Sequence, residues 1–385
     1  MATTLTASDR RVLKGPIAAD ERRARPVLWW AGFGVVCGLL AIYVFGSWIT
    51  SADFTRTAVG PTPLPEWMKA SLRIQEIAFP VATVGMLYWF LIRVWLRERR
   101  ITLDGMLVVA FIGLYWQDVL YNYTALHFTY NAGFLNYGSW TMHVPGWIAP
   151  HSNQFAEPFL MAGGAYNSAL LGVVMVCCAF MRRVKSRYPD LGTVGTLSCM
   201  FVFMFLADFI VESAWVHSGA YAFGGAVKGW TLFYGKWYQF PIYESILWGA
   251  CWTGMAALRY YVDDRGRTWV ERGADRVRLG EKGKLALRFF AVYGALNMIM
   301  IVTYDIPQQW FNLHSSPWPK SIQERSYFTQ GICGPGTQYE CFNTSIPMQG
   351  RNSSHVSPDN NLVVPDGTPV PKPVPFTQNP KISPF

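Results

Sequence analysis

Asp208 and Glu212 stand four residues apart in the run ADFIVES (207–213), so on a helix they stack on one face. In a medium of low dielectric, two carboxyls that close do not both ionise easily, and one should hold its proton. A carboxylic acid kept neutral beside an ionised partner is what general acid–base catalysis requires. Asp118, Tyr121 and Asn122 share a helical face by the same spacing, as do Asp305, Gln308 and Gln309, while Tyr243 and Glu244 stand together in YQFPIYE (238–244). The candidate catalytic residues are therefore Asp208, Glu212, Asp118 and Glu244. Tyr121, Asn122, Tyr243, Asp305, Trp140 and His217 are the candidates for holding a substrate. Buried polar groups also tie helices together, and this plainer role competes at each position. For Glu76, Glu157 and Glu244, near expected helix N-termini, stabilisation by the helix dipole is a sufficient reason.

The elements that must carry these groups are membrane spans. Of 385 residues 51% are hydrophobic and only 15% charged, against about 25% charged in soluble domains. A hydrocarbon core about 30 Å thick needs about 20 apolar residues in a helix. Stretches 27–49, 74–96, 103–124, 158–181, 193–215, 239–261 and 287–310 meet that need, which predicts an all-α, polytopic bundle of about seven helices. The 17 Trp suit anchors at the membrane interface. Six of the spans bring a carboxylate to the same half of the bundle, with Asp104 alone at the opposite end. The histidines agree: His127, His143, His151 and His217 fall outside or at that boundary, and His314 and His355 beyond it.

Basic residues set the orientation. Most of the 33 Lys and Arg cluster before the first span and in the second, fourth and sixth connections, and the net charge is +9. By the positive-inside rule these face the cytoplasm. The expected division is a basic cytoplasmic segment (1–26), a seven-helix transmembrane domain (27–311) in the plasma membrane, and an extracytoplasmic Pro-rich tail (312–385) prone to polyproline II. Charge in scattered clusters, not interleaved with aromatics in one patch, argues against nucleic acid; the expected partners are membrane lipid and a lipophilic small molecule. Cys37, Cys177, Cys178, Cys199 and Cys251 lie in apolar spans and pack as small hydrophobes. Cys333 and Cys341 bracket CGPGTQYEC in the expected outer tail, where an oxidising compartment favours a disulfide.

Several chemistries lack their parts. No CxxC or Cys/His ligand spacing occurs, nor a Walker motif, GxSxG or HExxH. No Lys lies between Arg288 and Trp310, where a retinal protein would need one. A transporter or lipid-binding protein using carboxylates for proton coupling is the competing class, although no internal repeat supports it.

The run WQDVLYNYT (116–124), with NYGSW (136–140), PGWIAP (145–150), EPF (157–159), ADFIVES and YQFPIYE, resembles the AveC-type spirocyclase family of actinobacteria. The resemblance covers roughly residues 26–319. It implies a membrane protein of polyketide tailoring, in secondary metabolism, whose best-known member forms a spiroketal and also dehydrates it. Such chemistry needs an acid for the departing oxygen, a base for the attacking hydroxyl, and carboxylates to stabilise an oxocarbenium ion. It needs no cofactor, and a dry aromatic pocket would supply positioning and electrostatics.

Overall fold

A computed structural model describes residues 25–124, 127–147, 152–337 and 340–341, together with the backbone of two-residue strands at His355–Val356 and Leu362–Val363. The basic residues of the N-terminal segment up to Arg23, His151 and most of the Pro-rich tail lie outside the described residues. The fold is an all-α bundle. Its long helices are α1 (Pro26–Ile49), α2 (Glu66–Glu98), α3 (Leu103–Asn122), α4 (Met161–Arg187), α5 (Thr193–His217), α6 (Ile242–Tyr260) and α7 (Glu281–Leu313).

All but α6 are long and apolar enough to cross a membrane. The expected span 239–261 does form a helix, but its composition falls short of that standard. Position explains why: no residue of α6 is exposed, since it packs on α4, α5 and α7. A helix enclosed by protein has no lipid face to furnish, so it can carry Tyr243, Glu244, Ser245 and two Trp. At 19 residues it is about 28 Å long, enough to match the hydrocarbon core.

Local chemistry starts and joins the helices. Pro26 opens α1, where its missing N–H costs nothing. Thr102 caps α3 by accepting from Gly105 N at 3.3 Å. α1 and α7 cross with backbones in contact at Gly34 and Gly294, where a Cβ on either glycine would overlap the other helix's carbonyl oxygens. The connections rich in Arg and Lys gather at one end of the bundle. There Arg259 of α6 grips Asp104 of α3 through two bonds of 2.9 Å. Nearby, Arg288 holds the buried Glu271 at 2.6 Å.

The opposite, aromatic end is closed by a folded cap. Strand β1 (Phe128–Tyr130) pairs antiparallel with β2 (Tyr221–Phe223), Phe128 opposite Phe223 and Tyr130 opposite Tyr221. The expected tail boundary at 312 falls in the last turn of α7, and the chain beyond it is not loose. Trp318, Ile322, Tyr327 and Phe328 are buried. Ser326 Oγ donates to Val59 O at 2.9 Å, and Ala132 N donates to Tyr327 O at 2.9 Å. Gln330 accepts from Ala156 N at 2.6 Å and donates to Thr129 Oγ1 at 2.8 Å. Averaged composition hides these few anchors among Pro, Ser and Gly. Cys333 and Cys341 are joined as a disulfide, their Cα atoms 4.8 Å apart.

Candidate active site

Helix α3 tightens into a 3-10 turn at Leu114–Gln117 and resumes as α-helix at Asp118–Asn122. Asp118 is fully buried and collects three donors. Its Oδ1 accepts from Tyr121 Oη at 2.7 Å and Tyr130 Oη at 3.2 Å, and its Oδ2 accepts from Asn122 Nδ2 at 2.9 Å. Tyr166 Oη lies 2.5 Å from Tyr121 Oη and extends the chain of hydroxyls into α4. The surprise is Glu157. It precedes α4 and is wholly buried beside Asp118, with Tyr115 Oη donating to its Oε2 at 3.2 Å and Tyr123 alongside. Burial pushes the Glu157 carboxyl well above the usual carboxylate range, and the Asp118 carboxyl pushes the same way.

A second group forms where α5, α6 and α7 meet. Asp208 is buried, and Glu212 lies one turn further along the same face of α5. Tyr221 Oη, from the cap, donates to Glu212 Oε1 at 3.1 Å. Tyr304 Oη donates to the buried Glu244 at 2.9 Å. Asp208 Oδ2, Glu212 Oε2 and Glu157 Oε1 have no geometric hydrogen-bond partner among the described residues. Asp305 is more extreme: it is buried, and neither of its oxygens has a partner there.

Aromatic rings join the two groups. Tyr121 stands edge-on to Tyr304 with centroids 4.6 Å apart, and Tyr304 packs on Trp248 at 4.2 Å. Above them Tyr130 and Tyr221 meet at 6.1 Å, so each cap strand sends one phenol down to one carboxyl group. Three of the inward residues lie in a widened π turn. Tyr166 opens the one in α4 (Tyr166–Leu171), and Tyr304 and Asp305 close the one in α7 (Ile301–Asp305). Such turns insert a residue and rotate the facing of every later residue on the helix, and they recur at functional sites. Among the described residues no Lys or Arg forms an ion pair with Asp118, Glu157, Asp208, Glu212, Glu244 or Asp305.

The structure thus brings together Asp208, Glu212, Glu244, Asp118, Tyr121, Asn122 and Asp305. It does not bring in three other candidates. Tyr243 is turned about 100° from Glu244 on the helix and stacks on Phe311 at 4.1 Å. His217 is exposed, bonded to Ser213 O at 2.8 Å and edged by Phe233 and Tyr238. Trp140 donates to Trp116 O at 2.9 Å and packs on Tyr115, one residue removed from Glu157. Glu76 bonds Arg73 and Leu135 N, tying α2 to the cap. His127 is buried and accepts from Gln308 Nε2 at 2.9 Å; burial pushes its pKa down to about 3. Glu157, Tyr166, Tyr221 and Tyr304 were not singled out by spacing, because a loop, a cap strand and two π turns deliver them.

A helical bundle with a buried, tyrosine-lined carboxyl centre defines the class of protein. Residues 98–328 match the family described as Spirocyclase AveC-like, which covers more than half of the chain, and the chain belongs to that family. No curated protein and no solved structure matches it. Membership points to an enzyme.

Proposed function

We propose that this chain is a membrane-embedded cyclase or dehydratase that uses carboxyl acid–base catalysis on a lipophilic hydroxy-ketone such as a polyketide. The observation that carries the reading is the set of buried carboxyls with open oxygens, walled by Tyr121, Tyr304 and Trp248 and unpaired with any cation among the described residues. In spiroketal formation two hydroxyl oxygens bond to one carbonyl carbon, and the carbonyl oxygen leaves as water. Glu157, held neutral, would give a proton to the departing oxygen. Asp118, with three donors already on it, would carry negative charge beside the oxocarbenium ion. Asp208 and Glu212, coupled on one face, would take the proton from an attacking hydroxyl, with Glu244 completing the polar wall. Asp305, which lacks donors of its own, would accept from a substrate hydroxyl. No resident cofactor enters any of these steps.

The helices would lie in the plasma membrane with the basic end and the N-terminus in the cytoplasm, and the cap and C-terminus outside. The test of the chemistry is turnover of a dihydroxy-ketone by membranes containing the native protein, Asp208→Asn, Glu212→Gln or Glu157→Gln. Loss of a general acid or base costs about 10²–10⁴-fold in rate. Asp104→Asn, which breaks the pair with Arg259 at the far end, should alter stability and leave the rate nearly intact. Full turnover by all three site variants would reduce the carboxyls to ties between helices.

A further inference from the structure

Helix α4 crosses the bundle at a slant. Its first turns lie on α2, where Thr83 Oγ1 donates to Gly164 O at 3.0 Å and a Cβ on Gly164 would press into Phe79. Its later turns lie on α5 and α6, with Phe180 stacked on Phe203 at 4.6 Å. α5 therefore parts from α4 towards the aromatic end. Near the top of that opening α5 reaches α2 through one latch. Trp215 Nε1 donates to Gln75 Oε1 at 2.5 Å, Gln75 Nε2 donates to Ser218 Oγ at 3.2 Å, and the Trp215 ring packs on Phe79 at 5.3 Å.

Below the latch lies the second carboxyl group. Glu212 sits about one helical turn under Trp215. It neighbours Val211 and Ile210, which are 53% and 66% exposed, on the outside of the bundle. Glu212 itself is half-buried, while Asp208, one turn deeper, is buried. One oxygen of Glu212 is held by Tyr221 and the other is open. The unpartnered oxygen is itself buried, so the seam is shut over it in this structure, and the α5 side chains beside it on the outer face, Val211 and Ile210, are apolar.

We infer that the seam between α4 and α5, latched by Gln75 and Trp215, is a lateral entrance by which a lipophilic substrate passes between the bilayer and the carboxyl centre. This rests on the proposed function for the identity of what enters. It gives α2 a task beyond packing: tilting away from α5 once the Gln75 bonds open. A substrate of that class would never need to cross the cap.

Access can be read without any substrate. The full-length protein in lipid vesicles is treated with dicyclohexylcarbodiimide, which partitions into the bilayer and attaches to protonated carboxyls, or with a water-soluble carbodiimide. Adducts are located by mass spectrometry. Glu212 should be labelled by the lipid-soluble reagent ahead of the water-soluble one. Joining Gln75→Cys to Ser218→Cys by oxidation should suppress that labelling, and reductant should restore it. Gln75→Leu, which removes the latch bonds without a crosslink, should speed labelling roughly tenfold, the effect of about one hydrogen bond on an opening equilibrium. Equal labelling of crosslinked and reduced protein, preference for the water-soluble reagent, no adduct at Glu212, or no acceleration by Gln75→Leu would each overturn the entrance. Labelling reports access and not turnover. Gated labelling of the native protein alongside full turnover by Glu212→Gln would retain the entrance and remove Glu212 from the chemistry.

Discussion

Tyr130 donates its phenolic hydrogen to Asp118 Oδ1 across 3.2 Å, so a strand of the cap is bonded directly to a carboxyl inside the bundle. The cap is therefore part of the site and not merely a cover. Tyr130→Phe removes this donor while keeping the ring that packs on Phe128. It should cost about 1–2 kcal/mol of stability and loosen the cap. Thermal unfolding and hydrogen exchange at β1 would register both. Unchanged exchange at β1 would mean that the bond does not anchor the cap.

Close backbone approach makes α1 and α7 intolerant of added bulk. Gly294→Leu places a side chain where Trp30 O and Gly34 already stand. The helices must separate, at roughly 2–4 kcal/mol, and α7 carries Tyr304 and Asp305 with it. A native-like melting temperature for this variant in detergent would contradict the crossing.

Acid should open the cap, and His127 should be a principal cause. Burial holds its folded pKa near 3, against an ordinary value of 6.5. Between those values the opened cap binds a proton that the closed cap refuses. Stability from this group is thus complete above pH 6.5 and falls as pH drops towards 3, by up to about 1.4 kcal/mol per pH unit. Glu157, with a raised folded pKa, tilts the profile the other way, because the closed form keeps a proton that the open form loses. The comparison between native protein and His127→Asn isolates the histidine. Identical acid sensitivity in the two would show that His127 is not responsible.

The proposed orientation is checked by a reporter active only in the cytoplasm. It should work when fused at the N-terminus or inserted after Arg267, and fail after Cys341. In parallel, Cys333 and Cys341 should resist alkylation until reductant is added. A C-terminal reporter that works in the cytoplasm would require an even number of crossings in place of seven.

How far the site could be read from sequence depended on whether a regular helix carried the residue. Asp208 and Glu212, or Asp118, Tyr121 and Asn122, lie in unbroken helical turns, so spacing alone puts each set on one face. Tyr166 and Tyr304 lie in π turns, and no constant 3.6-residue period finds a widened turn before the backbone is seen. Asp305, in the same turn as Tyr304, is legible because an acid in an apolar span stands out by type alone. Glu157 looked like an ordinary helix-start acid. It reaches Asp118 only because the chain returns to α3 at Ala156, where Tyr123 Oη donates to Ala156 O at 2.9 Å. Tyr243 failed for the opposite reason: adjacency to Glu244 in sequence means a different direction on a helix. The bundle itself is legible, α6 included, although a helix wrapped in protein need not match the composition of one wrapped in lipid.

The place of Gln330 in the cap also fixes a sequence of events. During synthesis α3, α4 and α5 can enter the membrane with their acids in place, but Ala156 and Thr129 wait for a partner that emerges from the ribosome about 200 residues after Thr129. Val59 and Thr62 wait longer still for Ser326. A chain that stops before Ser326 and Gln330, even one with every long helix complete, would carry the acids without the bonds that close the cap. The cap can close over the acids only after Gln330 has emerged.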